Sequence, residues 1–574
     1  MTTKTPDSER PWLAHYDPEV PGSLTYEHAP LFHLLDQAAE KWPSRKAIHF
    51  QNFRLSYAKL KKLTETVAAN LRAQGVRPGD RVAVMLPNTP QAIITYWGIL
   101  RAGAVVVMTN PLYMETEILH QFNDSGARTL IILDLLWPKV AKLQDQLPIE
   151  KYFVTNIADC LSFPLNLLYR LKARREKSIP SVPLDGKTVL PWTDLTKGSG
   201  SFTYQGVDPQ RDMAVLQYTG GTTGVSKGCM LSHSNLSANV QQCRALLHTL
   251  GGQQETFIGI LPYFHIYGLT VCMNLATMLG AAQVPFPRYS PKDVLKAIDK
   301  IRPTIFPGAP ALYISLLQQK DVGDYDLKSI KYCVSGSAPM PVEYIEQFKA
   351  MTGAEILEGF GLTEASPVTH LNPLSGKRKA GSIGLPFPDT EAWVVDMEVG
   401  SVALPPGKIG ELVVRGPQVM MGYFNRPDAT ADTLRNGRLY TGDIATMDEE
   451  GYFYIVDRKK DLIISAGYNI YPREIDEVLH THPKIKEAVA VGISHGTRGE
   501  VVKAFVVMEE GETMGKSEVI AFCRNKLANY KVPRLVEFRT SLPKTMVGKV
   551  LRRALRSEED QRRKSGGAEE QLEE

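Results

Sequence analysis

The stretch Gln217-Tyr218-Thr219-Gly220-Gly221-Thr222-Thr223-Gly224-Val225-Ser226-Lys227-Gly228 follows directly on the apolar run Met213-Ala214-Val215-Leu216. A buried strand, a loop of glycines and hydroxyls, and then a lysine make a grip for phosphate. Glycines let backbone N–H groups approach an anion, threonine hydroxyls donate further hydrogen bonds, and the lysine supplies charge. The bland alternative is a flexible surface turn, which does not account for a cation placed after so many donors. The loop is not a nucleotide-hydrolase P-loop, because Lys227 follows Ser226 rather than glycine. Gly-Lys-Ser/Thr does occur at Gly186-Lys187-Thr188 and at Gly515-Lys516-Ser517. There, Ser181 and Glu510 stand where that motif requires its first glycine.

Upstream of this loop, residues 30–135 alternate helical apolar spacing (31–39, 60–71, 90–101, 115–122) with short buried runs (80–86, 104–108, 129–133). Downstream, further apolar runs fall at 257–261, 282–286, 304–306 and 330–335. Alternation of this kind predicts parallel sheets covered by helices. From about residue 380 the texture turns all-β, with short strands at 381–386, 391–396 and 410–415 between Gly/Pro turns, as in a small barrel or distorted sheet. A charged joint, Asp457-Arg458-Lys459-Lys460-Asp461, follows the strand 452–456, and about a hundred residues of α/β texture come after it. The expected fold is therefore α/β, with a large N-terminal domain of two doubly wound subdomains plus a small β-barrel-like one. A small, mobile α+β C-terminal domain follows. The expected boundaries are an extension over 1–27, the large domain over 28–456, a hinge over 457–461, a lid domain over 462–556 and a disordered, charge-rich tail over 557–574.

Composition narrows the function. The 574 residues carry 66 basic and 62 acidic side chains, a net charge of +4, so no global field marks a nucleic-acid binder. The six cysteines form no Cys-x-x-Cys pair, which argues against a zinc site or a disulfide framework and fits a reducing cytoplasm. Residues 1–11 are polar and do not read as a signal peptide, and no apolar run is long enough to span a bilayer. Residues 159–180 stand apart: Leu161, Phe163, Leu165, Leu167, Leu168 and Leu171 are interleaved with Arg170, Lys172, Arg174, Arg175 and Lys177. Such a segment suits peripheral contact with an anionic membrane surface. The more economical expectation is a helix packed on its own domain with a solvated basic end.

Four further clusters lie at expected strand ends or loops. Leu261-Pro262-Tyr263-Phe264-His265 interleaves aromatics with one histidine, and such a histidine is more commonly a packing group than a catalyst. Glu358-Gly359-Phe360-Gly361-Leu362-Thr363-Glu364 offers a flat ring between glycines, a hydroxyl, and a carboxylate suited to Mg²⁺. Tyr440-Thr441-Gly442-Asp443 presents a carboxylate in a turn, able to accept from a ribose diol. Pro543-Lys544-Thr545-Met546-Val547-Gly548-Lys549 carries lysines on a glycine turn and, read alone, is a solvated basic loop.

In this order the clusters resemble the adenylate-forming superfamily of acyl-CoA synthetases, luciferases and nonribosomal-peptide adenylation domains, over residues 28–556. The segments 218–224, 261–265, 416–420, 457–461, 467–475 and 530–534 resemble most the bacterial long-chain fatty-acid–CoA ligases. The resemblance implies a reaction in two steps. A carboxylate attacks the α-phosphate of ATP, pyrophosphate leaves, and the thiol of coenzyme A then displaces AMP from the acyl-adenylate. The implied partners are a fatty acid, ATP with Mg²⁺, and CoA, with no nucleic acid, acting as monomer or homodimer. By the same resemblance Thr219, Gly220, Gly221, Thr222, Thr223, Gly224 and Lys227 hold the β- and γ-phosphates. Glu364 holds Mg²⁺, Thr363 bonds the α-phosphate, and Lys549 bridges carboxylate and α-phosphate. Adenine is expected among Gly336, Ser337, Ala338, Glu358, Gly359 and Gly361, stacked on Phe360. Asp443 and Arg458 serve the ribose, Lys460 is the hinge residue, Gly467 moves toward the CoA channel, and His265 gates the acyl pocket without acting as a base. Phe360 stands where the family usually has tyrosine, and Ser226 where it usually has proline. The alternatives are an aryl- or shorter-chain acyl-CoA ligase, or an adenylating enzyme that loads an acyl carrier protein.

Overall fold

Two parallel-cored sheets carry the larger part of the chain. The computed structural model describes residues 10–176, 179–219, 226–250, 252–338, 340–398, 400–465, 468–495, 498–544 and 550–564. In the first sheet the strands Met213–Thr219, Val105–Met108, Arg81–Met85, Thr129–Leu133, Lys151–Thr155 and Val189–Pro191 lie side by side and parallel. Lys227–Ser232 and Gly422–Tyr423 extend it antiparallel beyond Met213–Thr219. In the second, Glu355–Gly361, Tyr332–Ser335, Ile305–Gly308, Thr256–Gly259, Ala282–Pro285 and Lys46–Phe50 run parallel, with antiparallel strands at both edges. Strands such as Val105–Met108 and Thr129–Leu133 are buried at every residue, as strands covered on both faces must be.

One helix shows why the two sheets share a core. Pro90–Arg101 starts at Thr89, whose hydroxyl accepts from the Ala92 N–H, with Pro90 preset for the first turn. It is mostly apolar and every residue of it is buried. Its side chains join one hydrophobic cluster with Val82 and Val84 of the first sheet and Ile48 and Phe257 of the second. Arg101, at its end, is buried too and is held by both carboxylate oxygens of Asp36 and by the Thr64 hydroxyl.

The chain falls into two compact units, Trp12–Glu391 with Arg415–Leu439, and Met1–Pro11 with Ala392–Val414 and Tyr440–Glu574. The strands centred on 392–395, 410–414, 440–447 and 453–458 thus group with the C-terminal residues, and the expected boundary at 457 runs inside that unit. The expected strand over 381–386 is reduced to Leu385–Pro386, and it pairs with Val368–Leu371 in the second large sheet, not with the barrel-like strands.

In the C-terminal residues a sheet of Tyr468–Ile470, Ile463–Ser465, Gly499–Met508, Ile485–His495 and Leu535–Phe538 alternates its two faces. Ala488, Ala490, Val502, Ala504 and Val506 pack under the helices Pro472–His480 and Lys516–Arg524, while Val489, Val491, Val501 and Phe505 face the other way. That second face corrects the expected disordered tail. Residues Arg552–Lys564 form a helix whose Leu555 is fully buried in it, and residues 565–574 lie outside the described residues. The anchor is Lys503, fully buried on the same face, with its ammonium 2.9 Å from both Glu537 and Glu559. Charge content alone suggested disorder; a buried cation that needs carboxylates turns it into structure. Lys503→Met removes the one fully buried cation of the cluster and leaves Glu537 to Arg539 and Arg562 and Glu559 to Arg562, which is expected to cost the unit about 1–3 kcal/mol. Earlier proteolysis within residues 552–564 on heating measures the loss. Burial by itself would raise the Glu537 carboxyl, but hydrogen bonds from Arg562 and Lys503 and the charge of Arg539 outweigh it and hold it near about 2. Its stabilising contribution is therefore complete above its ordinary value of 4.5 and is lost as the pH falls from there toward about 2.

Candidate active site

The described ends of the glycine loop place it. Thr219 and Lys227 are direct partners across an antiparallel pair, so the lysine opens the strand that returns beside Met213–Thr219. Gly220, Gly221, Thr222, Thr223 and Gly224 lie outside the described residues. The Lys227 ammonium sits 4.9 Å from the centre of the Tyr423 ring, and the Tyr423 hydroxyl donates to Glu364 Oε1 at 2.6 Å. One aromatic side chain thus links the loop lysine to the carboxylate expected to hold Mg²⁺. Tyr423 has no motif signal; it arrives through the short strand Gly422–Tyr423, which pairs with Cys229 and Met230.

Thr363 and Glu364 occupy a single tight turn, Thr363–Ala365. The Met420 N–H donates to the Glu364 carbonyl at 2.8 Å, and the Ser366 hydroxyl donates to the Gln418 carbonyl at 2.8 Å. The Gly416–Met420 segment, quoted above only for its likeness, is thus the clamp that holds the acidic turn. Among the described residues no three His, Cys, Asp or Glu side chains gather into a metal site. A single partly exposed carboxylate does fit Mg²⁺, which takes one or two carboxylates together with substrate phosphates rather than a protein cage.

The adenine candidates come together at the carboxyl ends of neighbouring parallel strands, where open α/β sheets bind ligands. Ser335 pairs with Glu358, so Gly336, Ser337 and Ala338 leave the sheet beside Gly359, Phe360 and Gly361. Ser337 adopts a left-handed φ of 74°, and it and Ala338 are exposed. The Met340 N–H reaches Glu358 at 3.2 Å. The two glycines around Phe360 have a structural cause. A Cβ on Gly361 would lie 2.3 Å from the Pro367 carbonyl oxygen, and one on Gly359 would lie 2.9 Å from Leu371. The backbone just before the antiparallel strand Val368–Leu371 thus requires glycine at 361, and the partly exposed Phe360 ring lies against His370, with centroids 6.1 Å apart.

His265 follows a turn held from the first sheet. Asn88, at the end of the strand Arg81–Met85, donates to the Gly259 and Leu261 carbonyls and accepts from the Tyr263 N–H. Gln217, on the strand that enters the glycine loop, donates to the Phe264 carbonyl at 2.7 Å. Neither residue was singled out by sequence, since buried amides carry no motif. Burial pushes the His265 imidazole down to about 4, so it is neutral at neutral pH. Its Nδ1 accepts from the Tyr267 N–H at 3.2 Å, which places the proton on Nε2 and makes that atom a donor. Immediately after, Gly268–Asn274 winds as a π-helix buried along its length, and Gly268 is required because a Cβ would meet the Pro262 carbonyl at 2.3 Å. Val271 and Met273 join the main hydrophobic cluster.

In the other unit Asp443 is buried and paired with Arg458 Nε at 3.2 Å, the two facing each other across adjacent strands. It lies within the strand Arg438–Met447, not in the expected turn; Gly442, at φ 71°, supplies only a local break. Lys459 is tied to Glu411 at 2.8 Å, and Lys460 lies in the turn between the strands Phe453–Arg458 and Ile463–Ser465. Gly467 and Lys549 lie outside the described residues.

Residues 35–424 match the family model of AMP-binding enzymes, and residues 474–549 match the C-terminal domain of the same enzymes. The chain belongs to the AMP-binding enzyme family. Of this family, the long-chain-fatty-acid–CoA ligase of Bacillus subtilis is 46% identical over 96% of this chain and 98% of its own length. The long-chain-fatty-acid–CoA ligase of Escherichia coli O157:H7 is 39% identical over 95% and 98%. Among solved structures, ATP-bound MatB from Rhodopseudomonas palustris superposes with a TM-score of 0.80 at 30% identity, covering 93% of this chain and 99% of that one. Among its described residues no helix is long and apolar enough to cross a membrane.

Proposed function

We propose that this AMP-binding enzyme is a long-chain fatty-acid–CoA ligase that forms an acyl-adenylate and passes the acyl group to coenzyme A. The observation that carries the reading is the Lys227–Tyr423–Glu364 line at the start of the returning strand, together with near-full-length kinship to the two fatty-acid ligases. In the first step two anions must meet, so the difficulty is electrostatic. Thr219, Lys227 and the loop between them would hold the leaving pyrophosphate, Thr363 would donate to the α-phosphate, and Lys549 would sit between that phosphate and the carboxylate. Glu364 would hold Mg²⁺, which supplies charge against the phosphate oxygens when bound. Tyr423 keeps the Glu364 carboxylate oriented and keeps Lys227 beside it.

Adenine would lie between the Gly336–Ala338 backbone and the Phe360 ring, and Asp443 would accept from the ribose hydroxyls while Arg458 fixes its carboxylate. His265, neutral and with Nε2–H as donor, would face the carboxylate end of the acyl chain as a positioning group; a base is not needed because the fatty acid is already ionised at neutral pH. The second step needs an open path for the CoA thiol, which is why a lid carrying Lys549 would turn at Lys460 and bring Gly467 and Tyr468 forward.

The test is CoA-dependent AMP release with ATP over carboxylates from acetate to oleate, with benzoate included. The highest kcat/KM is expected on long saturated or monounsaturated chains. A maximum on benzoate or acetate would reassign the substrate, and AMP release only with an acyl carrier protein would reassign the acceptor.

A further inference from the structure

The helix Glu115–Ser125 lies beside both strands that carry the ends of the glycine-rich stretch. Its limits are set locally. The Glu117 carboxylate accepts from the Met114 N–H at 2.8 Å, Glu115 and Glu117 place negative charge at the positive end of the helix dipole, and Gly126, at φ 60°, ends the last turn. Ile118 and Phe122, one turn apart, are buried in the cluster that holds Leu216 and Tyr218 of the strand Met213–Thr219. Gln121 donates to the carbonyl of Met108, on the neighbouring strand, at 2.9 Å. These three side chains fix the helix on the sheet that delivers Thr219 and Lys227.

Two further side chains, again one turn apart, reach three pieces of the site. His120 Nε2 lies 2.8 Å from the carbonyl of Ser226, the residue immediately before Lys227. A carbonyl only accepts, so Nε2 carries the proton. Asp124 Oδ2 accepts at 2.7 Å from the hydroxyl of Tyr218, the residue immediately before Thr219, and its Oδ1 accepts from Arg426 at 2.8 Å. Burial first, and then Asp124, push the Tyr218 hydroxyl above its ordinary range, so it stays a donor. Arg426 follows Tyr423 by three residues, and its N–H donates to the Tyr423 carbonyl at 3.2 Å. The contacts close a ring. Lys227 rests over Tyr423, Tyr423 leads to Arg426, Arg426 is held by Asp124, and His120 on the same helix returns to Ser226. Packing of the helix does not require this arrangement, since Ile118, Gln121 and Phe122 already seat it. His120 and Asp124 end instead on the residues that flank Thr219 and Lys227.

We propose that His120 and Asp124 are positioning residues of the phosphate site, holding Thr219 and Lys227 at the separation and direction that the β- and γ-phosphates of ATP need. The proposal deepens the ligase reading and rests on its placing of Thr219 and Lys227 at those phosphates. The test is calorimetric titration of the full chain with Mg·ATP, Mg·pyrophosphate and AMP, for the parent and for H120L, H120Q, D124A and K227A. H120L and D124A are each expected to weaken ATP and pyrophosphate by about 5–10-fold, the effect of losing about one hydrogen bond, while AMP, which lacks the β- and γ-phosphates, stays within about two-fold of the parent. In H120Q a side-chain amide N–H replaces Nε2–H, and ATP affinity is expected to return to within about two-fold of the parent. Unchanged ATP affinity in H120L and D124A overturns the proposal. So does an equal loss for ATP and AMP, which marks a general effect on the fold, and so does an H120Q variant that binds ATP no better than H120L. Should D124A fail to fold, H120L and H120Q decide the matter between them. K227A separates the proposal from the reading beneath it. If K227A leaves ATP affinity intact, the phosphate reading itself fails and takes the proposal with it; if K227A weakens ATP and H120L does not, only the proposal fails.

Discussion

With Lys549 replaced by alanine, fatty-acid-dependent ATP–pyrophosphate exchange is expected to fall by about 10²–10³-fold, while thioester formation from added acyl-adenylate stays within a few-fold of the parent. The reason is charge. In the first step the fatty carboxylate approaches an α-phosphate that is itself anionic, and a cation between them stabilises the transition state more than the separated reactants. In the second step the acyl-adenylate carries no free carboxylate, so the same ammonium has no comparable task. Lys227 differs from Lys549 in this respect. It is seated over the Tyr423 ring and linked through it to Glu364, and on the proposed reading it holds the departing pyrophosphate. Lys227→Ala is expected to raise the KM for ATP more than it lowers kcat. Near-normal exchange by Lys549→Ala would remove the assignment, and an equal loss in both half-reactions would show a folding defect instead.

Lys460→Pro should divide the reaction the other way. Exchange is expected to remain close to the parent, and CoA-dependent AMP release to drop by about 10-fold or more. Lys460 sits in the turn that separates the strand Phe453–Arg458 from Ile463–Ser465, so a change in its backbone angles redirects everything that follows. Proline holds φ near −65° and removes that freedom. Around it Arg458 and Lys459 are tied to Asp443 and Glu411, and Asp457 accepts from the Arg473 N–H at 2.8 Å. Single-turnover measurement of adenylate decay on mixing with CoA separates this outcome from a slower first step.

Much of the site could be read along the chain. The glycine loop, the acidic turn at 363–364 and the strand ends at 336–338 and 358–361 carry their chemistry in contiguous residues, and the α/β alternation that places them is a matter of local apolar period. Residues whose role depends on a distant partner could not be read. Tyr423 looks like any aromatic in a loop until its strand pairs with Cys229 and sets its hydroxyl 2.6 Å from Glu364. Asn88 and Gln217 become turn-holding residues only because the two sheets meet at their carboxyl ends. The need for glycine at 361 comes from the Pro367 carbonyl of a neighbouring segment, which no local pattern shows.

The same division holds for the chain as a whole. Local order in the sequence by itself determined the fold class, the position of the phosphate loop and the family, because apolar period, glycine and a cation act over a few residues. Only the tertiary structure decided that Asp443 is strand-bound against Arg458 and that the charged segment after 552 is a helix. It alone showed that the leucines of 165–171 stay at the surface. Each of these depends on what a side chain meets from far along the chain: a guanidinium, a buried ammonium, or nothing but solvent.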